Sequence, residues 1–435
     1  WRDWSSDVCS SDLGWSPASP RTERFYYPWT FFSRGPLAGL AAIPVVLGTG
    51  GQPPAVHAEQ TWAPFDPQGF AAYRVTQHVL SSGVIVAFFL LLLPLAGPGW
   101  ALAGCGLAAL APFGMHEVLF TWPKWAATAW LVAAAALLRA GRPGLAGAAT
   151  GIGFLYHPLV LLWTPWLALA AAALCPRNPG AVTAAVARLA GATAVVVLPW
   201  MLLGAVMPHL PETPFAGQGG FLRYWFLADS NLADAGAWLR SRWMNFANTF
   251  VPLHLFADDG SFQHFRFQSA HEVSGAWEKT QFLWWNSLPF ALGLGLWVTS
   301  AVATARFVRR HAWAAAVLLF GPAAMLVTYW GGDPLGLMRE CGHPLFLTVI
   351  GAAVWVAAHG GGRLTAGLAH PAVPWLQLPE TLIMLWFTTL ANAAPHPRAH
   401  HELDGLALTA HLGCLLAAAL ILARARPSGR PTFAA

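Results

Sequence analysis

Residues 118–175 read VLFTWPKWAATAWLVAAAALLRAGRPGLAGAATGIGFLYHPLVLLWTPWLALAAAALC, and this stretch decides the fold. It holds three apolar runs, 118–138, 143–156 and 158–175, parted by Arg-Ala-Gly-Arg at 139–142 and by His157. Lys124, Arg139 and Arg142 carry the only formal charges in it. A soluble helix needs a polar face, and these runs have none. They are also too long and too uniformly apolar for the alternation of a barrel strand. Helices are the other way to satisfy a backbone placed in lipid.

The same pattern extends in both directions. Further apolar segments fall at 75–97, 100–113, 185–206, 285–305, 312–330, 343–358, 376–394 and 405–423. Over the whole chain 56% of residues are apolar and 10% charged, against about 25% charged in soluble domains. The 24 tryptophans suit a membrane–water interface. The expected fold is therefore all-α, a polytopic transmembrane helical bundle. Residues 25–73 are expected to form a first outer loop whose short apolar run, 36–48, makes a re-entrant or interfacial helix. Residues 74–206 are expected to hold the first set of spans, 207–284 one long outer loop, 285–423 the C-terminal spans and 424–435 a cytoplasmic tail.

Residues 1–13, WRDWSSDVCSSDL, fit nothing downstream. They lack the apolar stretch of a signal peptide and resemble translated sequencing-adapter read-through. Residues 1–24 are accordingly set aside as artefact or disordered, with the true N-terminus and at least one further helix expected upstream.

The net charge of +5 is not a nucleic-acid signal, because the arginines cluster in short connections. Arg139 and Arg142, Arg177 and Arg188, Arg306, Arg309 and Arg310, Arg363, and the group Arg424, Arg426 and Arg430 fall on alternate connections. The positive-inside rule puts those connections in the cytoplasm and the chemistry-bearing residues on the opposite side. A multi-pass protein of the bacterial inner membrane is the expected setting. Cys9, Cys105, Cys175, Cys341 and Cys414 are scattered, with no metal-ligand or disulfide spacing. No Walker loop, dinucleotide fingerprint or nucleophile elbow is present.

Four places could carry chemistry on the outer side. The stretch GMHEVLFTWPKW (114–125) is expected to open on a tight turn, with His116 and Glu117 at the mouth of two helices and Lys124 about two turns inside the next one. Lys124 would bind phosphate, His116 would assist in substrate binding, and Glu117 would act as acid, base or metal ligand. Against that, Lys124 could pair or snorkel for structural reasons alone. The first outer loop offers Arg34 as a phosphate ligand and Asp66 as a base or cation ligand, although Asp-Pro also forms ordinary turns. His157, in Leu-Tyr-His-Pro, either meets substrate or caps a helix end. The long loop 207–284 and the His-rich loop 394–404 show no metal-ligand spacing.

Several of these elements follow one another in a familiar order. Arg34-Gly35-Pro36-Leu37 comes first, then Arg74 at a helix start, an Ala-rich helix ending near Pro112, and Glu117 in the second outer turn. The turn 139–142 and the glycine-rich helix AGAATGIGFLYHP (146–158) complete the set. Over residues 25–206 this layout resembles the GT-C glycosyltransferases, with their protein O-mannosyltransferase and aminoarabinose transferase branches. The resemblance implies transfer of a sugar from a polyprenyl-phosphate carrier, held in membrane lipid, to an acceptor on the non-cytoplasmic side. It implies a divalent metal, Mg2+ or Mn2+, at Glu117 in some branches. It also implies a base carboxylate in a first-loop stretch upstream of residue 25, so the family's base is not mapped onto Asp66. Lys124, in Trp-Pro-Lys-Trp, departs from the general family pattern. The alternative reading is a transporter or flippase for a lipid-linked saccharide or other solute.

Overall fold

The computed structural model of the chain describes residues 36–51, 67–119, 123–174, 178–206 and 342–360, with the isolated helical positions 236 and 239. The described residues are helical, with no strand among them. In chain order the helices are α1 (Leu37–Gly48), α2 (Pro67–Ala96), α3 (Pro98–Leu110), α4 (Pro112–Leu119) and α5 (Lys124–Arg139). There follow α6 (Pro143–Tyr156), α7 (Leu159–Leu174), α8 (Pro179–Val206) and α9 (His343–Gly360). The expected segments at 285–305, 312–330, 376–394 and 405–423, and the loops 207–284 and 394–404, lie outside the described residues.

Proline sets most of the boundaries. Pro67, Pro98, Pro112, Pro143 and Pro179 each open a helix, while Pro123 and Pro158 immediately precede one. Proline suits a first helical turn, where its missing N–H would have no partner anyway, and it cannot extend a preceding helix. Glycine closes the α5–α6 turn. Gly141 has φ of 73°, which an L side chain rarely adopts. Its N–H bonds to Leu138 O and the Arg142 N–H to Leu137 O, the paired bonds of a Schellman motif.

Two helices are long and apolar enough to cross a membrane, over Ala71–Ala96 and Pro179–Leu203. At 26 and 25 residues they rise about 39 and 37 Å, more than the ~30 Å of a bilayer core. The helices α3, α5 and α7 run 13 to 16 residues, shorter than the apolar runs from which they form, while α6 fills its run of 14 residues end to end. Prolines and the residues just before them trim the ends.

The sequence expectation for 114–117 needs correction. These residues form no turn; they belong to α4, because Ala111 is extended (ψ 144°) and Pro112 restarts the helix one residue later. Lys124 is likewise not two turns inside a helix but the first residue of α5, directly after the N-cap Pro123. Arg74, expected at a helix start, lies two turns into α2.

Close approaches give the helix directions. Cys105 Sγ lies 3.4 Å from Ile85 O, and Gly104 faces Leu92, so α3 returns antiparallel to α2. Gly104 also faces Val354 while Phe346 packs on Phe113, so α9 runs antiparallel to α3. Gly153 backs onto Ala127 and Trp130, which makes α5 and α6 an antiparallel pair. A Cβ on Gly147 would come 2.9 Å from Ala192 Cβ, and one on Gly151 2.6 Å from Val196 Cβ, so α6 and α8 run parallel through a Gly-x-x-x-Gly contact. α2 sits at the centre, against α1, α3, α4, α5 and α9. One apolar cluster built on α2, α3, α5, α6, α7 and α9 forms the core, and a small satellite (Ala42, Val46, Ala72, Tyr73) joins α1 to α2.

Candidate functional site

These directions bring particular helix ends together. α2, α5, α7 and α9 start at one end of the bundle, where α3 and α6 finish and α4 lies across. Arg139, Arg142 and Arg188 stand at or toward the opposite end. The first end carries nearly all of the polar side chains buried among the described residues.

On α2 these are Arg74, Gln77, His78, Ser81 and Ser82, all buried. Spacings of three and four residues place them on one face, within about 12 Å of rise. The fully buried Lys124 comes from the start of α5, His157 from the α6–α7 junction and His343 from the start of α9. The N-terminal ends of four helices add their partial positive charge.

Side-chain bonds fix the backbone of α4 within this group. His78 Nδ1 donates to Val118 O at 2.8 Å, and Trp125 Nε1 donates to Gly114 O at 3.1 Å. The two bonds bracket His116 and Glu117, tying their helix to α2 on one side and α5 on the other. Because a carbonyl only accepts, His78 must carry its proton on Nδ1. Glu117 is the only acidic residue among the described residues. The side chains of His116 and Glu117 themselves are outside the described residues, as are Arg34 and Asp66.

His157 is the C-cap of α6, and its Nδ1 accepts the Leu159 N–H at 3.1 Å. The capping role expected for it is met, and the neutral ring holds its proton on Nε2. Phe113 of α4 makes an aromatic cluster with Trp125, His343 and Phe346, with centroids 5.1 to 6.1 Å apart. The rings pack against one another, edge-on or tilted, and anchor α9 to this end.

Sequence reasoning singled out Lys124, His157 and Glu117 and missed Gln77, His78, Ser81, Ser82 and His343. The missing signal was QHVLSS at 77–82, polar pairs four residues apart inside an apolar segment. A Mg2+ or Mn2+ cage wants several oxygen donors. The described residues contain no group of three His, Cys, Asp or Glu placed to hold a metal. They do not by themselves build the metal site that the resemblance implies. No known protein family, curated protein or solved structure matches the chain, so the site stands on its own chemistry.

Proposed function

We propose that the chain is a multi-pass membrane transferase that moves a sugar from a polyprenyl-phosphate carrier to an acceptor on the non-cytoplasmic side. The observation that carries this reading is the single bundle end where Arg74 and Lys124 are buried around α4, the helix on whose backbone Glu117 sits as the sole acidic residue among the described residues. Cations buried in a membrane protein ordinarily mark a binding site or a pathway, and a phosphate at a membrane rim is a ligand suited to them. The opposite placement of Arg139, Arg142 and Arg188 supports an outward-facing site by the positive-inside rule. The membrane setting draws support from α8, which is apolar on its packed side (Leu189, Val197) and on its exposed side (Val195, Leu198, Leu202). A helix apolar all round yet exposed calls for a solvent other than water.

In this reading Glu117 takes the proton from the acceptor hydroxyl or amine as that group attacks the anomeric carbon. The sugar–phosphate bond breaks, and the carrier phosphate leaves with the bonding electrons. Lys124 and Arg74 stabilise its developing charge. No step is routed through a metal.

Protein reconstituted in liposomes with radiolabelled polyprenyl-phosphate sugar tests the assignment. Glu117→Gln should lower transfer at least ~100-fold with the fold intact. Lys124→Met should lower it comparably. Undiminished transfer by Glu117→Gln removes the carboxylate from the mechanism. A second reading, movement of the lipid-linked saccharide itself, is favoured by the continuation of the polar face down α2 to Ser82. Labelled lipid crossing the bilayer without hydrolysis or transfer would select it.

A further inference from the structure

Gln77, Ser81 and Ser82 have a feature that the proposed chemistry does not use. Gln77 Nε2 donates to Ala38 O at 2.9 Å, which turns Oε1 away from α1. That Oε1, Ser81 Oγ and Ser82 Oγ are all buried, and none has a hydrogen-bond partner among the described residues. Buried serine in a helix ordinarily bonds the carbonyl four residues back, as Thr128 and Thr150 do here. Three orphaned oxygens within two turns of the central helix are too costly to be an accident of packing.

We infer that Gln77, Ser81 and Ser82 are the contact surface for the hydroxyl groups of a bound ligand, the sugar head of the lipid-linked donor. This inference rests on the transferase reading and adds where the sugar goes. The chemistry selects the ligand class. An amide oxygen only accepts, so a bare phosphate, which also accepts, cannot satisfy it. Serine hydroxyls both donate and accept. A partner that does the same, repeatedly and without charge, is a polyhydroxylated ring. The position agrees: the three residues lie deeper in α2 than Arg74, so a phosphate held by the basic groups at the rim would direct its sugar along this face.

The oxygens are closed off here, so ligand reaches them only when a covering element shifts. α1 is the described helix that packs beside this face at Gln77. It runs antiparallel along α2, from Gly51 beside Gly69 to Ala38 beside Gln77. The small satellite cluster and the Gln77 bond hold it, and it also touches α6.

The test is the double variant Ser81→Ala, Ser82→Ala, compared with wild type in two measurements. One is the melting temperature of purified, ligand-free protein. The other is affinity, by thermal shift, for polyprenyl phosphate carrying a hexose and for sugar-free polyprenyl phosphate. The expected result has opposite signs. Ligand-free protein melts at the same or a higher temperature, because unpaired hydroxyls are gone and alanine favours helix. Affinity for the sugar-bearing lipid falls roughly 10-fold, while affinity for the sugar-free lipid is unchanged. A lower melting temperature would make the hydroxyls structural and overturn the inference. Equal hexose-lipid affinity in variant and wild type would overturn it while leaving the transferase reading intact. Wild type that binds neither lipid would remove that reading and this inference together.

Discussion

α2 and α8 are nearly equal in length and both apolar enough to span a bilayer, yet they are built inside out relative to each other. α2 turns its polar residues inward, burying Arg74, Gln77, His78, Ser81 and Ser82 at the centre of the bundle. α8 has few polar residues, and it exposes Val195 (74%), Leu198, Met201 and Leu202. Overall hydropathy therefore says little about role. The position of the polar minority along the helical repeat separates a helix that lines a site from one that faces the outer medium.

The largest effect tests the outer medium. Val195→Lys puts a charge on the exposed face of α8, well inside its apolar stretch. If lipid lies there, insertion is opposed by about 2.5–3.5 kcal/mol, and the membrane-inserted fraction drops sharply in a glycosylation-reporter assay. A soluble environment would tolerate or welcome the lysine. Unchanged insertion would break the comparison at its outer half.

The next effect separates two kinds of glycine. Gly151→Leu drives a side chain into Val196 and should lower stability by about 1–3 kcal/mol, seen as a lower melting temperature in detergent. Gly83 on α2 and Gly191 on α8 have open space where a methyl group would project. Their alanine variants should gain up to about 1 kcal/mol from helix propensity. Undiminished stability of Gly151→Leu would mean that the α6–α8 crossing is not glycine-dependent, and a loss at Gly83 or Gly191 would mean that those positions are not open.

Much of this architecture was legible because helix ends are local chemistry. Pro98, Pro143 and the 139–142 turn announce themselves, and 143–156 forms over the expected residues. The 114–117 region was misread because Gly114 and its polar neighbours look like a turn, while the restart at Pro112 depends on a single extended residue, Ala111. The polar face of α2 was hidden for another reason. Averaged over a membrane-length window, QHVLSS is outweighed by the apolar VIVAFFLLLL after it, and only the three- and four-residue spacing reveals a face. The meeting of His78, Lys124, His157 and His343 at one end depends on helix directions, which no local pattern encodes.

A smaller effect concerns the inner half of the comparison. Gln77→Leu removes the bond to Ala38 O and should loosen α1 by about 1 kcal/mol. Hydrogen exchange in α1 amides reports it directly. Faster exchange confined to α1, with α2 protection unchanged, fits a helix whose docking on α2 depends on the Gln77 bond. Unchanged exchange would mean that other contacts hold α1 in place.

The smallest effect is on α8. Thr193 Oγ1 lies 3.0 Å from Gly147 O across the helix contact and 2.9 Å from Leu189 O in its own helix. One hydroxyl proton serves both, so the interhelical share is only part of one bond. Thr193→Val keeps the shape and removes the donor; its cost should be about 0.6 kcal/mol, the usual scale for hydrogen bonds between membrane helices. Combining it with Gly151→Ala gives a double-mutant cycle on the same crossing. Strong coupling is expected, because a methyl at 151 pushes α8 away and breaks the Gly147 bond before the valine does. Additive losses would show that the Gly-x-x-x-Gly contact and the threonine act separately. Close backbone approach would then not be what makes that hydrogen bond possible.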